Sequence, residues 1–333
     1  MKLDIRTHVS EPRRQTYAHL ARRFGEDRPA TRYEEAVMDL QPTVNFHYRP
    51  AAEPELELFD VRRTAIAMSD WYKLVDPRQL YYATYNISRA AIEAASARAF
   101  EFAEKQGMLG ELPAEIRAQV VSGILPMRHY LWGANLVNWS ICDRGYGAAI
   151  TSAAAFAAMD DLGVAQVVSK IGLALDEQTG SALVDAKKAW LEAPAWQGIR
   201  RLVEEILVCT DWFEALVALD LVLDGLVHRL VFDEVRQSLK AHPGLLLVTE
   251  MPAEIRVDQA RWVDAMVKIA AAESPENREK LAGWFASWRE RAVAATLPLA
   301  AHVLGSGGEA AVARLASELS TRAGKLGIAE VAS

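Results

Sequence analysis

From Asp76 onward, apolar positions recur at steps of three and four, the period of one face of a helix. Tyr81, Tyr85, Ser88, Ile92, Ala95, Ala99 and Phe102 form one such stripe. It predicts a long helix that starts near Pro77 and ends at Gln106-Gly107. A second helix is predicted over about 113–141, kinked where Pro126 removes a backbone donor. Alanine-rich helix follows to about 175. A further long helix is predicted over 196–235, with the stripe Leu202, Ile206, Cys209, Phe213, Leu216, Asp220, Leu223, Val227 and Leu230. Shorter helices are expected over 253–272, 275–304 and 308–326. There is no strand-like alternation, no Asn-Gly hairpin signal, no internal repeat and no low-complexity segment. A helix of about 30 residues is about 45 Å long. The expected fold is therefore all-α, a ferritin-like long-helix bundle.

The first 75 residues read differently. They hold prolines and short mixed segments such as PATRYEEAVMDLQPTVNFHYRPAAEPELE, with one helix expected around 13–24. Such a stretch fits an extended N-terminal arm ordered by lying on a partner. The expected division is 1–75 as arm and 76–333 as helical domain.

Composition narrows the classes. Apolar residues make up 51% and charged residues 24%, values of a folded protein rather than a disordered one. The net charge of −7 argues against a nucleic-acid partner, although Arg13, Arg14, Arg22 and Arg23 cluster early. The longest apolar run, 148–159, is short of the roughly 20 residues of a membrane span, and MKLDIRTHVSEPRR has no apolar signal core. A cytoplasmic protein without a membrane partner is expected. Cys142 and Cys209 make no C-x-x-C pair, which disfavours a structural zinc or redox pair.

The common nucleotide, hydrolase and zinc-protease motifs are absent. No histidine has a glutamate three residues before it, so the Glu-x-x-His pairs of a ferritin-like di-iron centre are missing. Three features remain. His129 stands beside Arg128 in PMRH (126–129), where a buried or interface histidine hydrogen-bonded to a backbone or side-chain group is the plain reading. Asp220, Asp224 and His228 recur at steps of four in an apolar stripe. They fit a buried salt bridge, with Arg89 or Arg201 as the counter-charge, or a solvated edge, ahead of part of a metal site. Asn135 and Asn138 have the spacing of helix–helix amide bonds. The tryptophans are spread over many helices and fit packing better than an aromatic pocket. Two further readings stay open: a free-standing metal-binding helical oxidase with a non-standard site around His129, Asp220, Asp224 and His228, and a helical binding or regulatory protein.

Several ordered segments carry a family resemblance: RQTYAHLARRFG, PATRYEEA, NFHYRP, DPRQLYYATY, LVEEILVCTDWFEALVALDLVLDGL and RWVDAMVK. Together they resemble the β subunit of bacterial multicomponent phenol hydroxylases and related toluene/benzene monooxygenases, from about residue 13 to 327. The resemblance implies an (αβγ)2 hydroxylase whose α subunit carries the di-iron centre and hydroxylates the aromatic ring with O2. It implies a separate reductase with FAD and an iron–sulfur cluster, and a small effector protein. The β subunit is the scaffold, with no catalytic, cofactor-binding or metal site of its own. Placed against the α-type pattern, the ligand positions fall at Tyr85, Pro126, His129, Asp224, Gln259 and Trp262, of which only His129 and Asp224 are still able to bind. The arginines kept from that pattern, Arg128 and Arg261, are expected to pair with carboxylates such as Asp258 or Asp224. The long helices, and the arm to about residue 57, are expected to pack on the α subunit.

Overall fold

The computed structural model describes residues 17–40, 49 and 53–328, and among these there is helix and turn but no strand. Two short helices come first, α1 (Ala18–Phe24) and α2 (Arg32–Val37). Two single 3-10 turns follow, Val61–Arg63 and Trp71–Lys73. The bundle is then built from α3 (Tyr82–Lys105), α4 (Ala114–Gly123), α5 (Met127–Arg144), α6 (Ala148–Leu175), α7 (Ser181–Glu192) and α8 (Pro194–Leu207). After α9 (Trp212–Leu216) the same rod continues as π-helix through Val217–His228 and Leu230–Val235. It closes with α10 (Arg236–Ser238), α11 (Pro243–Val248), α12 (Glu250–Glu273), α13 (Pro275–Leu304) and α14 (Gly308–Leu326).

The helices expected over 275–304 and 308–326 are found with those bounds. Two long ones differ. The stretch 113–141 is broken at Pro126 into α4 and α5 rather than kinked. Proline has no N–H to return to the Ser122 carbonyl. That carbonyl accepts instead from the indole Nε1–H of Trp196 at 2.9 Å, so the break is stitched to α8. The stretch 196–235 is likewise divided, because Asp211 starts a new helix: its carboxylate accepts from the backbone N–H of Phe213 (2.9 Å) and Glu214 (3.1 Å). Cys209 falls in this break, and α7 was not expected at all. The first long helix starts at Tyr82, not near Pro77, since Asp76 and Arg78 form a capped turn there. Phe102 points outward, and the buried face of α3 is Tyr85, Phe100 and Ala103.

Helices α5 and α6 form an antiparallel hairpin through a three-residue turn. Asn135 Nδ2 bonds the Ala158 carbonyl across it at 2.6 Å, as its spacing anticipated. Gly133 lets α5 approach α8 closely: a Cβ there would collide with Val203. By length and composition α6 is apolar enough to cross a bilayer, which the run at 148–159 did not indicate, but 61% of its most apolar window is buried in the bundle.

The described part of the first 75 residues is ordered by its own chain. Thr31 and Glu34 form a capping box at the start of α2. Leu20, Tyr33, Val37 and Met38 bury against Tyr72 and Ala149. Residues 53–75 are pinned onto the bundle, where Asn277 clasps the Ala67 backbone from both sides (3.0 and 2.7 Å) and Lys73 bonds Glu273 at 2.8 Å. Residues 1–16, 41–48 and 50–52 of the expected arm, including the start of the first expected helix, lie outside the described residues.

Candidate functional site

Among the described residues, the interior of the bundle gathers a polar cluster. Tyr130 and Asn138 lie two turns apart on α5, and Asp161 faces them from α6. Asp220 and Asp224 come from the π-helix, Arg256 and Gln259 from α12. All seven are buried. The π-helix matters here: its wider turn carries two carboxylates four residues apart into one interior, and such segments concentrate at functional sites.

Arg256 is the hub. Its Nη1 lies against Asp224 Oδ2 and donates to Gln259 Oε1 at 2.7 Å. Its Nη2 donates to the backbone carbonyl of Asp220 at 3.1 Å and sits 3.7 Å from Asp220 Oδ1. Tyr130 Oη–H donates to Asp224 Oδ1 at 2.6 Å. Asn138 Nδ2 donates to Asp161 Oδ2 (2.9 Å) and to Asp220 Oδ1 (3.3 Å). Gln259 Nε2 closes the network on the Ala157 carbonyl at 3.3 Å.

Three buried carboxylates share one guanidinium, so their charge is not balanced. Burial pushes the Asp161 carboxyl well above the usual range, with Asp224 adding to the effect. Burial also raises Asp220, to about 7, against the pull of Arg256. Asp224 is raised by burial too, while Arg256 and the Tyr130 hydrogen bond oppose the rise. Arg256 loses by burial but gains more from Asp224, Asp220 and Asp161, and stays a cation. His228 is buried nearby and pushed well below its ordinary value by burial and then by Arg256, which makes it a neutral imidazole.

A second network lies just outside the first. Asp160, the neighbour of Asp161, accepts from Arg89 Nε and Nη2 (both 2.8 Å) and from Tyr85 Oη at 2.9 Å. Arg89 also reaches Asp258 (2.7 Å), which Arg78 shares at 3.2 Å, and Arg78 pairs with Asp76. These bonds staple α3 to α6 and α12 beside a cleft of about 430 Å³ lined by Arg89, Phe100, Met159, Asp160, Lys170 and Met251.

Of the six ligand positions drawn from the resemblance, the structure brings Asp224 and Gln259 together in the inner network. Tyr85 belongs to the outer one and stacks on Phe156 at 4.3 Å. Pro126 caps α5. His129 faces the other way, stacked on Trp190 at 6.3 Å, with Nε2 buried and unbonded rather than hydrogen-bonded as expected. Burial lowers its pKa to about 4, with Arg128 and Lys187 adding to the shift. Trp262 is fully buried one turn beyond Gln259. The site imagined around His129, Asp220, Asp224 and His228 therefore does not assemble, because His129 lies outside it.

The arginine assignments also change. Arg261 does pair with Asp258, at 3.7 Å, but on the surface at 61% exposure, while Arg128 lines a surface pocket with His129 and Trp132. Arg89 serves Asp160 and Asp258, and Arg201 is exposed. The cation facing Asp220 and Asp224 is Arg256. The correspondence began one helix early: the inward faces belong to α5, α6, the π-helix and α12, and α3 packs outside them. Tyr130, Asp161 and Arg256 were missed as a result. Two signals were present, the Asp160-Asp161 pair in an alanine-rich helix and Arg256 three residues before Gln259.

A di-iron carboxylate centre needs two Glu-x-x-His pairs and two further glutamates facing inward. The inner cluster offers three aspartates around a guanidinium, and does not fit that group. Among the described residues no three His, Cys, Asp or Glu side chains are placed to hold a metal. Cys142 and Cys209 are free thiols.

Comparison with known proteins agrees with the fold. The chain is 44% identical to the phenol 2-monooxygenase oxygenase component DmpL of Pseudomonas sp. (strain CF600), over 98% of both chains. It is 26% identical to the toluene-4-monooxygenase system hydroxylase component subunit beta of Ectopseudomonas mendocina, over 66% of this chain and 68% of that one. A solved chain of phenol hydroxylase from Pseudomonas sp. OX1 superposes with a TM-score of 0.90 at 38% identity, covering 97% of this chain and 98% of that one. With residues 53–274 matching the Methane/Phenol/Alkene Hydroxylase family, this ferritin-like helical chain belongs to that family.

Proposed function

We propose that this chain is the non-catalytic β subunit of a multicomponent hydroxylase that oxidises phenol or a related aromatic. The observation that carries the reading is Arg256. Where a ferritin-like bundle would need open carboxylates, a guanidinium is bound between Asp220 and Asp224. The name of the related toluene-4-monooxygenase subunit beta supports the same assignment. In this reading the di-iron centre belongs to an α partner within an (αβγ)2 assembly in the cytoplasm. FAD and an iron–sulfur cluster belong to a reductase, and a small effector protein completes the system. Residues 1–75 and the outer helices hold the partner.

A surface suited to that task is present. Trp132, Leu136 and Trp139 recur at helical spacing on the outside of α5 and are 54%, 40% and 43% exposed. Met159 and Leu162 extend the apolar surface onto α6. A contiguous apolar face of this kind marks an interface more often than bare solvent contact. The test is expression of the chain alone and with its α partner, followed by iron analysis and phenol turnover. Iron and turnover in the complex, with neither in the lone chain, are expected. About two irons per lone chain would overturn the assignment.

A further inference from the structure

The cleft between α3 and α6 is a slot with a composition of its own. Along α6 it runs from Met159 to Lys170, about 16 Å of helix. Its volume of about 430 Å³ lies in the range of small-molecule sites. The floor is apolar, with Phe100 and Ile255 buried beneath it and Met251 beside them. The walls are thin: Ala90 and Ala97 stand on α3 and Gly163 on α6. A Cβ at Gly163 would meet only the Met251 methyl, at 3.9 Å, so the space there is open rather than taken by a neighbour. Close-packed interiors leave few such spaces.

The charges along the slot cancel. Arg89 is bound to Asp160 at its inner end. Glu93 and Lys170 stand on opposite walls, and among the described residues neither pairs with an opposite charge. Lys170 instead rests its ammonium over the Phe100 ring, 4.3 Å from the centroid. A slot without net charge selects neither an anion nor a cation. Its free donor and free acceptor suit one group that can both accept and donate. A hydroxyl accepts from Lys170 and donates to Glu93. The rest of the ligand must be apolar and thin enough to pass between alanine and glycine. A flat ring meets both needs, and the Met159 and Met251 thioethers favour contact with its edge.

We propose that the slot between α3 and α6 binds a small uncharged aromatic alcohol of the phenol class, its ring between Ala97 and Gly163 and its hydroxyl between Glu93 and Lys170. The site binds and does no chemistry. It goes beyond the subunit assignment and does not rest on it, because the slot is built from this chain alone.

The experiment uses the full chain with isotope-labelled methionine methyls, titrated with phenol and followed by NMR. Met159 and Met251 line the slot, and each signal is assigned by replacing the residue with leucine. Ring currents should move both signals saturably while the other methionine signals stay in place. The expected Kd is on the order of 0.1–1 mM, the range open to so small a ligand. Toluene, which lacks the hydroxyl, and benzoate, which adds a charge, should bind about tenfold more weakly. Gly163→Leu and Ala97→Leu each fill the slot and should abolish the shifts, with circular dichroism confirming the fold. Lys170→Met and Glu93→Gln should each weaken phenol about three- to tenfold. The titration is repeated on the chain co-purified with its α partner, where the same shifts are expected. Phenol that leaves both signals in place overturns the proposal, in the lone chain or in the complex. Toluene or benzoate bound as tightly as phenol overturns it too, as does unchanged binding by either folded slot-filling variant. If neither of those variants folds, the surface changes Lys170→Met and Glu93→Gln decide, and unchanged phenol binding in both overturns it. None of these readouts uses iron or turnover, so the slot and the subunit assignment fail separately.

Discussion

Asp160 and Asp161 are neighbours on α6, and they live in different chemistry. Asp160 points toward α3 and is gripped by two nitrogens of Arg89 and by the Tyr85 hydroxyl. Asp161 points inward, where its hydrogen-bond donor is an amide and the carboxylates of Asp220 and Asp224 stand nearby. The outer network nearly balances its charge, with Asp76, Asp160 and Asp258 facing Arg78 and Arg89. The inner one sets three aspartates against Arg256. A carboxylate in the first is held by ion pairs. In the second it persists by keeping a proton or by sharing one cation. One step along a helix separates a structural staple from a strained core.

The largest expected effect removes the inner cation. Arg256→Met leaves Asp220 and Asp224 buried without a counter-charge, a change that costs about 3–5 kcal/mol when a buried pair loses one partner. Adding Asp224→Asn should return part of that loss, because the orphaned charge goes with it. Arg89→Met, in the outer network, should cost less, about 1–3 kcal/mol, since Asp160 keeps the Tyr85 hydroxyl and Asp258 keeps Arg78 and is partly exposed. Urea unfolding of these three variants and of Asp224→Asn alone gives both numbers and the coupling. Equal losses for Arg256→Met and Arg89→Met would erase the distinction between the two networks.

How far the sequence reached can be read from the same residues. Helical periodicity anticipated the bundle, because apolar stripes on long helices have few other uses. It was blind to the breaks at Pro126 and Asp211. These depend on a distant indole taking the Ser122 carbonyl and on an aspartate capping a new helix. It was blind also to the π-helix, whose pattern is apolar on every side. For the site, Asp220 and Asp224 stood out as charges in an apolar stripe, but their counter-ion lay 32 residues beyond Asp224, at Arg256, on a helix with charges all round it. The family pattern favoured Arg128 and Arg261, while the direction of each side chain, fixed by packing, chose Arg256.

A smaller effect separates the two networks by pH. Burial raises Asp220 to about 7 in the folded chain, against about 3.9 for an unperturbed aspartate. The folded state therefore binds more protons than the unfolded one between about pH 4 and 7. Stability from this group is full below pH 4 and falls as pH rises through 7, by at most about 1.4 kcal/mol per unit. Asp161 is raised for the same reason and acts in the same direction. Asp220→Asn should flatten the decline between pH 4 and 7 relative to wild type. Asp160→Asn, in the outer network, should leave that decline in place while lowering stability at every pH. A wild-type curve with the same slope between pH 4 and 7 as that of Asp220→Asn would show that Asp220 titrates normally.

The smallest effect on stability is expected at the apolar face, and it sharpens what the inner network is for. Trp132 and Trp139 are about half exposed, so replacing both with serine removes little buried surface from the lone chain. The unfolding free energy should move by no more than about 0.5 kcal/mol per site, the usual range for exposed positions. If the face holds the α partner, the same substitutions should sharply reduce co-purification, because partly exposed tryptophans of this kind act as anchors once covered. Arg256→Met should behave in the opposite way, with stability lost while the outer surface chemistry is unchanged. Co-purification that survives both tryptophan substitutions would move the interface to another face of the bundle, leaving the buried cluster as it stands.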